Sequence, residues 1–203
     1  STLLVPNLMR YPGSVVVMDP KGELARATAA KRASMGQRVY ILDPFGETGV
    51  PTASHNPFAE LKHGKRGNVA ADVSQIADAL IVGNPRDPHW TDSAKNLVRG
   101  AVLHLLATEP QAATLRELRK VLSYTPAELE RLFKAMADST AFDGIVANIG
   151  AALLGKKESG GRELQGILST AQEQTAPLDD VARITERSDF SLTELRGGNM
   201  TIY

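Results

Sequence analysis

Two periodicities divide the 203 residues of this chain. Near the start, apolar residues come in short unbroken runs. Val15–Val17, closed by Met18, is the first, and Asp19-Pro20 halts it. A short apolar run without alternation marks a strand covered on both faces. Glu23 to Met35 reads as a helix with Leu24, Ala27 and Thr28 on a small-residue face, and Gly36 stands where a left-handed C-terminal residue is wanted. Val39–Leu42 is the second run, ended by Asp43-Pro44. Strand, helix and strand within about thirty residues predict a βαβ unit whose strands are parallel neighbours joined by a right-handed crossover. Both strands end in Asp-Pro at one edge of the sheet, and that carboxyl edge is where open α/β sheets bind ligands.

From Val69 onward the period is helical. Val69, Val73, Ile76, Ala77 and Leu80 fall on one stripe, and Asp87-Pro88 announces a long helix carrying Ala94, Leu97, Val98, Ala101, Val102 and Leu105. Capping boxes at Thr114…Glu117 and Thr125…Glu128 open two more helices. Phe142, Ile145, Val146, Ile149 and Leu153 predict another, Lys156 to Gly161 a break, and Arg162–Gln174 a last helix with Leu164, Ile167 and Ala171. With no period-2 signal in this region, these stripes bury one another, so residues 66–187 are expected to form a compact helical bundle. The end changes again: Gly197-Gly198 leads into Met200–Tyr203, the start of a strand. Ser1–Val5 reads as the tail of a helix, broken by Pro6 and Pro12. Both ends therefore read as cut edges, and the expectation is a fragment of a longer protein.

Composition narrows the chemistry. Cysteine is absent, which excludes disulfides and Cys-ligated metals. Aromatics are 5%, too few for a single-strand stacking platform. No apolar run approaches the ~20 residues of a membrane span. Net charge is zero, but residues 1–66 hold nine Lys or Arg against five Asp or Glu, and residues 67–187 hold thirteen against sixteen. The middle of the chain lacks the basic footprint of a nucleic-acid domain. The one basic cluster, Lys62-His63-Gly64-Lys65-Arg66, lies in a connector rich in Gly, Pro, Ser and Thr, where a solvated loop is the ordinary reading.

Candidate chemistry centres on Asp19-Pro20-Lys21-Gly22-Glu23, at the end of a strand and the start of a helix. Either Asp19 and Glu23 position a water or a Mg²⁺-bound water while Lys21 meets phosphate charge, or Asp19 caps the turn and Glu23 meets the helix dipole. No G-x-x-x-x-G-K-[ST] occurs, so no phosphate loop is in view. The four histidines show no metal-ligand spacing, and no serine lies in G-x-S-x-G. Trp90, the single tryptophan, reads as a core or interdomain anchor rather than a ligand contact.

The segments YPGSVVVMDPKGEL, RVYILDPFG, SHNPFAEL, the helix opening at Trp90, and SDFSLTELRGGNMTIY together resemble the type IV secretion coupling proteins, the TraG/TraD-type conjugation ATPases. The resemblance implies a mainly α chain in which an all-α bundle is inserted into a partial RecA-like α/β domain. Residues 1–65 and 188–203 would belong to the nucleotide-binding domain, with parallel strands near 14–18, 39–42 and 200–203, and 66–187 would be the all-α domain. The family's phosphate loop, Walker B pair and transmembrane anchor would lie outside this chain. ATP and Mg²⁺ are thus expected for the full-length hexamer, with no cofactor and no unaided ATPase activity in the fragment. Asp19, Lys21 and Glu23 match the family's D-x-K-G-E block as nucleotide-proximal candidates.

The all-α domain of such proteins faces the cytoplasm at the inner membrane. It is associated with recruiting secreted proteins or relaxase–DNA complexes to the other type IV secretion components. The charge count favours a protein partner over bare DNA, and Lys156, Lys157, Glu158 and Arg162 are candidate contacts in a loop. Two alternatives remain: an ATPase subdomain that sets hexamer geometry, and a DNA translocase whose Lys62–Arg66 loop touches phosphates.

Overall fold

The computed structural model describes residues 3–61 and 68–203. The chain divides into two compact units, one made of residues 1–56 and 183–203 and the other of Pro57–Ala182.

The first unit carries α1 (Leu4–Arg10), β1 (Val15–Val16), α2 (Glu23–Ser34), β2 (Arg38–Tyr40) and β3 (Met200–Ile202). Its three strands are all parallel, in the order β1-β3-β2. The expectation that β1 and β2 pair with each other is therefore corrected: β3, from the far end of the sequence, lies between them. Val15 faces Thr201 on one side and Val39 faces it on the other. Cover follows position. Met200 and Thr201 have no exposure, whereas Val16 is 63% and Met18 89% exposed. The strand buried on both faces is thus β3, and β1 is an edge. α1 also runs on through Pro6, which occupies the first turn, where its missing N–H leaves no hydrogen bond unmade.

One side chain holds these pieces together. Arg32, in α2, is wholly buried. Its Nε donates to Thr201 Oγ1 at 2.8 Å and its Nη2 to the Gly13 carbonyl at 2.6 Å. Its Nη1 donates to the carbonyls of Leu8 and Tyr11. Gln37 completes the network, donating to the Pro12 carbonyl at 2.7 Å and accepting from Thr201 at 3.3 Å. The exit and return of the chain are zipped as well. Ser54 and Asp189 exchange hydrogen bonds at 2.8 and 2.9 Å, His55 N donates to the Ile184 carbonyl at 2.7 Å, and His55 stacks on Phe190.

The second unit carries α3 (Val69–Leu80), α4 (Pro88–Thr108), α5 (Leu115–Leu122), α6 (Pro126–Ala137), α7 (Ile145–Glu158), α8 (Arg162–Thr175) and α9 (Leu178–Val181). The apolar stripes read from the sequence close one core that includes Phe58, Val73, Leu97, Leu118, Phe133, Met136 and Ile167, with Trp90 packed against it. Thr125 and Glu128 form a full capping box, while Thr114 caps α5 alone and Glu117 turns to Lys120. Gly150 lets α7 lie against the backbone of α6, since a Cβ there would come within 2.6 Å of the Ala137 nitrogen. The unit starts at Pro57 rather than 66 because Phe58 is buried in this core, and it ends before 187 because Ile184 to Asp189 bond the 54–56 segment.

Two local readings change. Phe142 does not open α7; Phe142, Asp143 and Gly144 all sit at positive φ in a left-handed turn. Lys156, Lys157 and Glu158 form the last turn of α7 rather than a loop, and Gly160 and Gly161, both at positive φ, make the break.

Replacing Arg32 by Met leaves several buried carbonyls without a donor. It is expected to lower the stability of the sheet unit by on the order of 3 kcal/mol or more, with Arg32→Lys recovering part of the loss. Chemical denaturation followed at Tyr40 or Tyr203 checks this.

Candidate functional site

The carboxyl ends of the three strands open on a cleft of about 420 Å³ within the first unit. Val17, Asp19, Asp43, Phe45, Thr48 and Tyr203 are among its lining residues. Two loops build it, residues 18–22 after β1 and 41–49 after β2. Arg26 clamps them, donating from Nη2 to the Lys21 carbonyl at 2.8 Å and from Nη1 to the Glu47 carbonyl at 2.5 Å. Gly22 is required at their junction. Its φ is +65°, and a Cβ would meet Thr48 Cγ2 at 2.7 Å.

Asp43 organises the second loop. Its carboxylate accepts from the Glu47 and Thr48 amides at 2.9 and 2.7 Å and from the Thr48 hydroxyl at 2.6 Å. The Thr48 hydroxyl above all, then the loop amides, hold its carboxyl below the usual carboxylate range against the opposing effect of burial. Asp43 is thereby occupied by its own loop. Tyr203 closes the floor of the cleft, its hydroxyl bonded to Thr28 and its ionisation pushed up by burial.

Of the three residues read from the D-x-K-G-E block, only Asp19 lines the cleft. One of its oxygens accepts from the Ala25 amide at 2.8 Å, within the first turn of α2, and the other has no hydrogen-bond partner among the described residues. Glu23 is the first residue of α2 and exposed, and Lys21 is exposed with its carbonyl, not its ammonium, engaged. Among the described residues the cleft lining includes Asp19, Asp43 and Glu47 and no Lys or Arg. That donor set suits a hydrated cation beside Asp19 and does not by itself neutralise phosphates. Among the described residues no three His, Asp or Glu side chains come together as a metal cluster.

The second set of candidates is brought together, but by internal ion pairs. Lys156 bonds Glu163, which also meets His89 Nε2 at 3.1 Å. Lys157 bonds Glu130, which also meets Lys134 Nζ at 2.8 Å. Lys156 thus ties α7 to α8, and Lys157 ties α7 to α6. Glu158 and Arg162 are exposed, and their side chains hydrogen-bond to nothing among the described residues. Glu130, Glu163 and His89 were missed by the sequence reading. Spacing signals Glu130 with Lys134, at i and i+4, but nothing local signals the pairs that cross between helices. The basic cluster Lys62–Arg66 lies outside the described residues.

Asp43→Ala removes acceptors from the Glu47 and Thr48 amides, a local loss of about 1–3 kcal/mol. Amide exchange at those two residues is expected to accelerate roughly tenfold or more. Because folding lowers the Asp43 carboxyl's pKa, its contribution is present above the ordinary carboxylate value and disappears as pH falls through the lowered one. Lys134 and then Lys157 hold the Glu130 carboxyl down to about 2. Its contribution is accordingly full above about 4.3 and is lost as pH falls through the depressed value. A carboxyl-carbon titration should show this low midpoint, and Lys157→Met or high salt should raise it.

Comparison with known proteins places the whole chain. The family model described as "Type IV secretory system Conjugative DNA transfer" matches residues 1–203. A conjugal transfer protein TraG of Escherichia coli is 31% identical over 95% of this chain and 31% of its own length. The coupling protein VirD4 of Bartonella quintana (strain Toulouse) is 23% identical over 100% of the chain and 33% of its own. The chain therefore spans about a third of the length of the curated relatives it matches. The solved bacterial conjugative coupling protein TrwBdeltaN70, in its unbound form, superposes with a TM-score of 0.50 at 15% identity, over 93% of this chain and 45% of that one. That likeness shows a common fold. Among the described residues no helix is long and apolar enough to cross a membrane. The chain belongs to the type IV secretory system conjugative DNA transfer family.

Proposed function

We propose that the helical unit, Pro57–Ala182, is the substrate-recruiting part of a type IV coupling protein. It docks a secreted protein or a relaxase–DNA complex for hand-over to the other secretion components at the cytoplasmic face of the inner membrane. The observation that carries this reading is the division of the chain. The helices close a core of their own, so their outer faces are available for a partner without disturbing the sheet. The slight acidic excess of residues 67–187 favours a protein ligand.

The sheet unit would serve the motor. ATP with Mg²⁺ supplies the free energy of hydrolysis in a full-length hexamer. On this reading the residues here fit only part of that group. Asp19, with one oxygen unpartnered among the described residues, would hold or orient a Mg²⁺-bound water, while the phosphates need donors that the described cleft lining does not supply. Lys21 and Glu23, exposed beside the cleft, would meet the nucleotide only from its rim. The exposed Val16, Met18 and Phe45 favour packing of this unit against further protein in such an assembly.

With Lys156 and Lys157 engaged inside the unit, Glu158 and Arg162 are the better contacts of the four. Charge reversal of both in the full-length protein, Glu158→Lys with Arg162→Glu, is expected to cut substrate transfer at least tenfold while leaving the ATPase rate within about twofold, since exposed substitutions cost little stability. Transfer at the parental rate, or loss of ATPase in parallel, would contradict the recruiting role of this face.

A further inference from the structure

α3 and α4 form an antiparallel hairpin with a polar pocket of about 230 Å³ along its seam. α4 contributes Asp92, Lys95, Asn96 and Arg99, which share one face at i, i+3, i+4 and i+7, and α3 contributes Ser74, Ala77 and Asp78. Lys95 is spoken for, since its Nζ lies 2.9 Å from Asp78 Oδ1. Arg99 is not. It is half-buried and pairs with nothing among the described residues, and its Nε lies out of solvent with no hydrogen-bond acceptor. Ser74, one turn before Asp78, also lines the pocket, its hydroxyl donating to the Ala70 carbonyl at 2.8 Å.

Because Nε is closed to solvent, an incoming group meets the terminal nitrogens of Arg99, and an unpaired guanidinium there is best satisfied by a planar anion gripped by their fork. The size of the pocket says what carries that anion. At about 230 Å³ it falls below the roughly 300–1,000 Å³ of sites for whole small molecules, so it admits one group of side-chain dimensions. Charge says which anion. Asp92 is unpaired among the described residues and lies on the same face, seven positions and so about 10 Å along the axis from Arg99. It disfavours a phosphate dianion more than a single carboxylate.

We propose that this pocket receives one carboxylate of a partner polypeptide, with Arg99 as its anion-binding group. The inference deepens the recruiting role assigned to the helical unit and rests on it for the nature of the partner. The pocket itself is tested without any transport assay.

The test follows the Arg99 Nε–Hε resonance of the ¹⁵N-labelled chain at constant ionic strength. Two probes separate the sources of a carboxylate: N-acetylglutamic acid α-amide offers only a side-chain one, and N-acetylglycine only a terminal one. Saturable shifts of Arg99 with either probe support the proposal and name the source. Arg99→Gln should weaken binding at least tenfold with helix content unchanged by circular dichroism. Asp92→Asn, which leaves the guanidinium in place, should tighten it two- to threefold. No saturable shift with either probe, equal or tighter binding of inorganic phosphate, or full binding by Arg99→Gln would overturn it. Binding of the probes alongside unimpaired transfer in the Glu158/Arg162 charge reversal would leave the pocket standing and refute the recruiting face.

Discussion

A guanidinium shut away from water, with no carboxylate partner among the described residues, is the constraint on which the sheet unit depends. Burying a guanidinium costs several kcal/mol unless its donors are met. The partners that meet it are main-chain carbonyls at Leu8, Tyr11 and Gly13 and the hydroxyl of Thr201. Two of those carbonyls belong to the C-terminal end of α1, where unpaired acceptors and the helix dipole both favour a cation. Arg32 therefore fixes α1, the entry to β1, α2 and β3 in one arrangement. Thr201 lies 169 positions away in sequence, and β3 is the strand that both β1 and β2 need.

That need dictates what lies between. A sheet whose central strand arrives last tolerates a long insertion only if the insertion is folded on its own terms and its two ends are held together. Both conditions are visible. The Ser54–Asp189 and His55–Ile184 hydrogen bonds fasten the exit to the return within the sheet unit. The intervening helices bury their own apolar stripes, with Gly150 allowing α6 and α7 to meet backbone to backbone and Lys157 joining α7 to Glu130 of α6. Loop closure over so many residues costs only about 3 kcal/mol more than over a short loop, because that entropy grows logarithmically.

Most of the local elements were legible in the chain because their signals are local. The stripe from Ala94 to Leu105, the Thr125/Glu128 box and the runs at Val15 and Val39 all name an element from residues within a few turns of each other. Strand order was not, because no residue near Val15 or Val39 records that Met200–Ile202 will separate them. Exposure followed the same divide. The run at Val15–Met18 is as apolar as a buried strand, yet being on the sheet's edge leaves Val16 and Met18 open. Phe142 was misread as helical because its stripe position is right and only its left-handed backbone is wrong.

The cleft was legible in outline and not in detail. Two Asp-Pro dipeptides located the carboxyl edge, but their shared pattern hid a difference in role: Asp43 is engaged by its own loop, while one Asp19 oxygen has no partner among the described residues. Arg26 and Arg32 sit in one helix and both bond carbonyls, one at the cleft and one beneath the sheet. Nothing in composition distinguishes them. The same holds for Lys156 and Lys157, which look like free surface charges until their partners on other helices are placed.

The claim that β3 organises the sheet is tested most directly by deleting residues 192–203 and following amide exchange at Val17 and Leu42, which donate to the Ile202 and Tyr203 carbonyls at 2.8 and 2.9 Å. Protection at both should be lost while the α4 amides around Val98 keep theirs. Protection that persisted at Val17 and Leu42 would mean that the two flanking strands hold each other, and the account would fail.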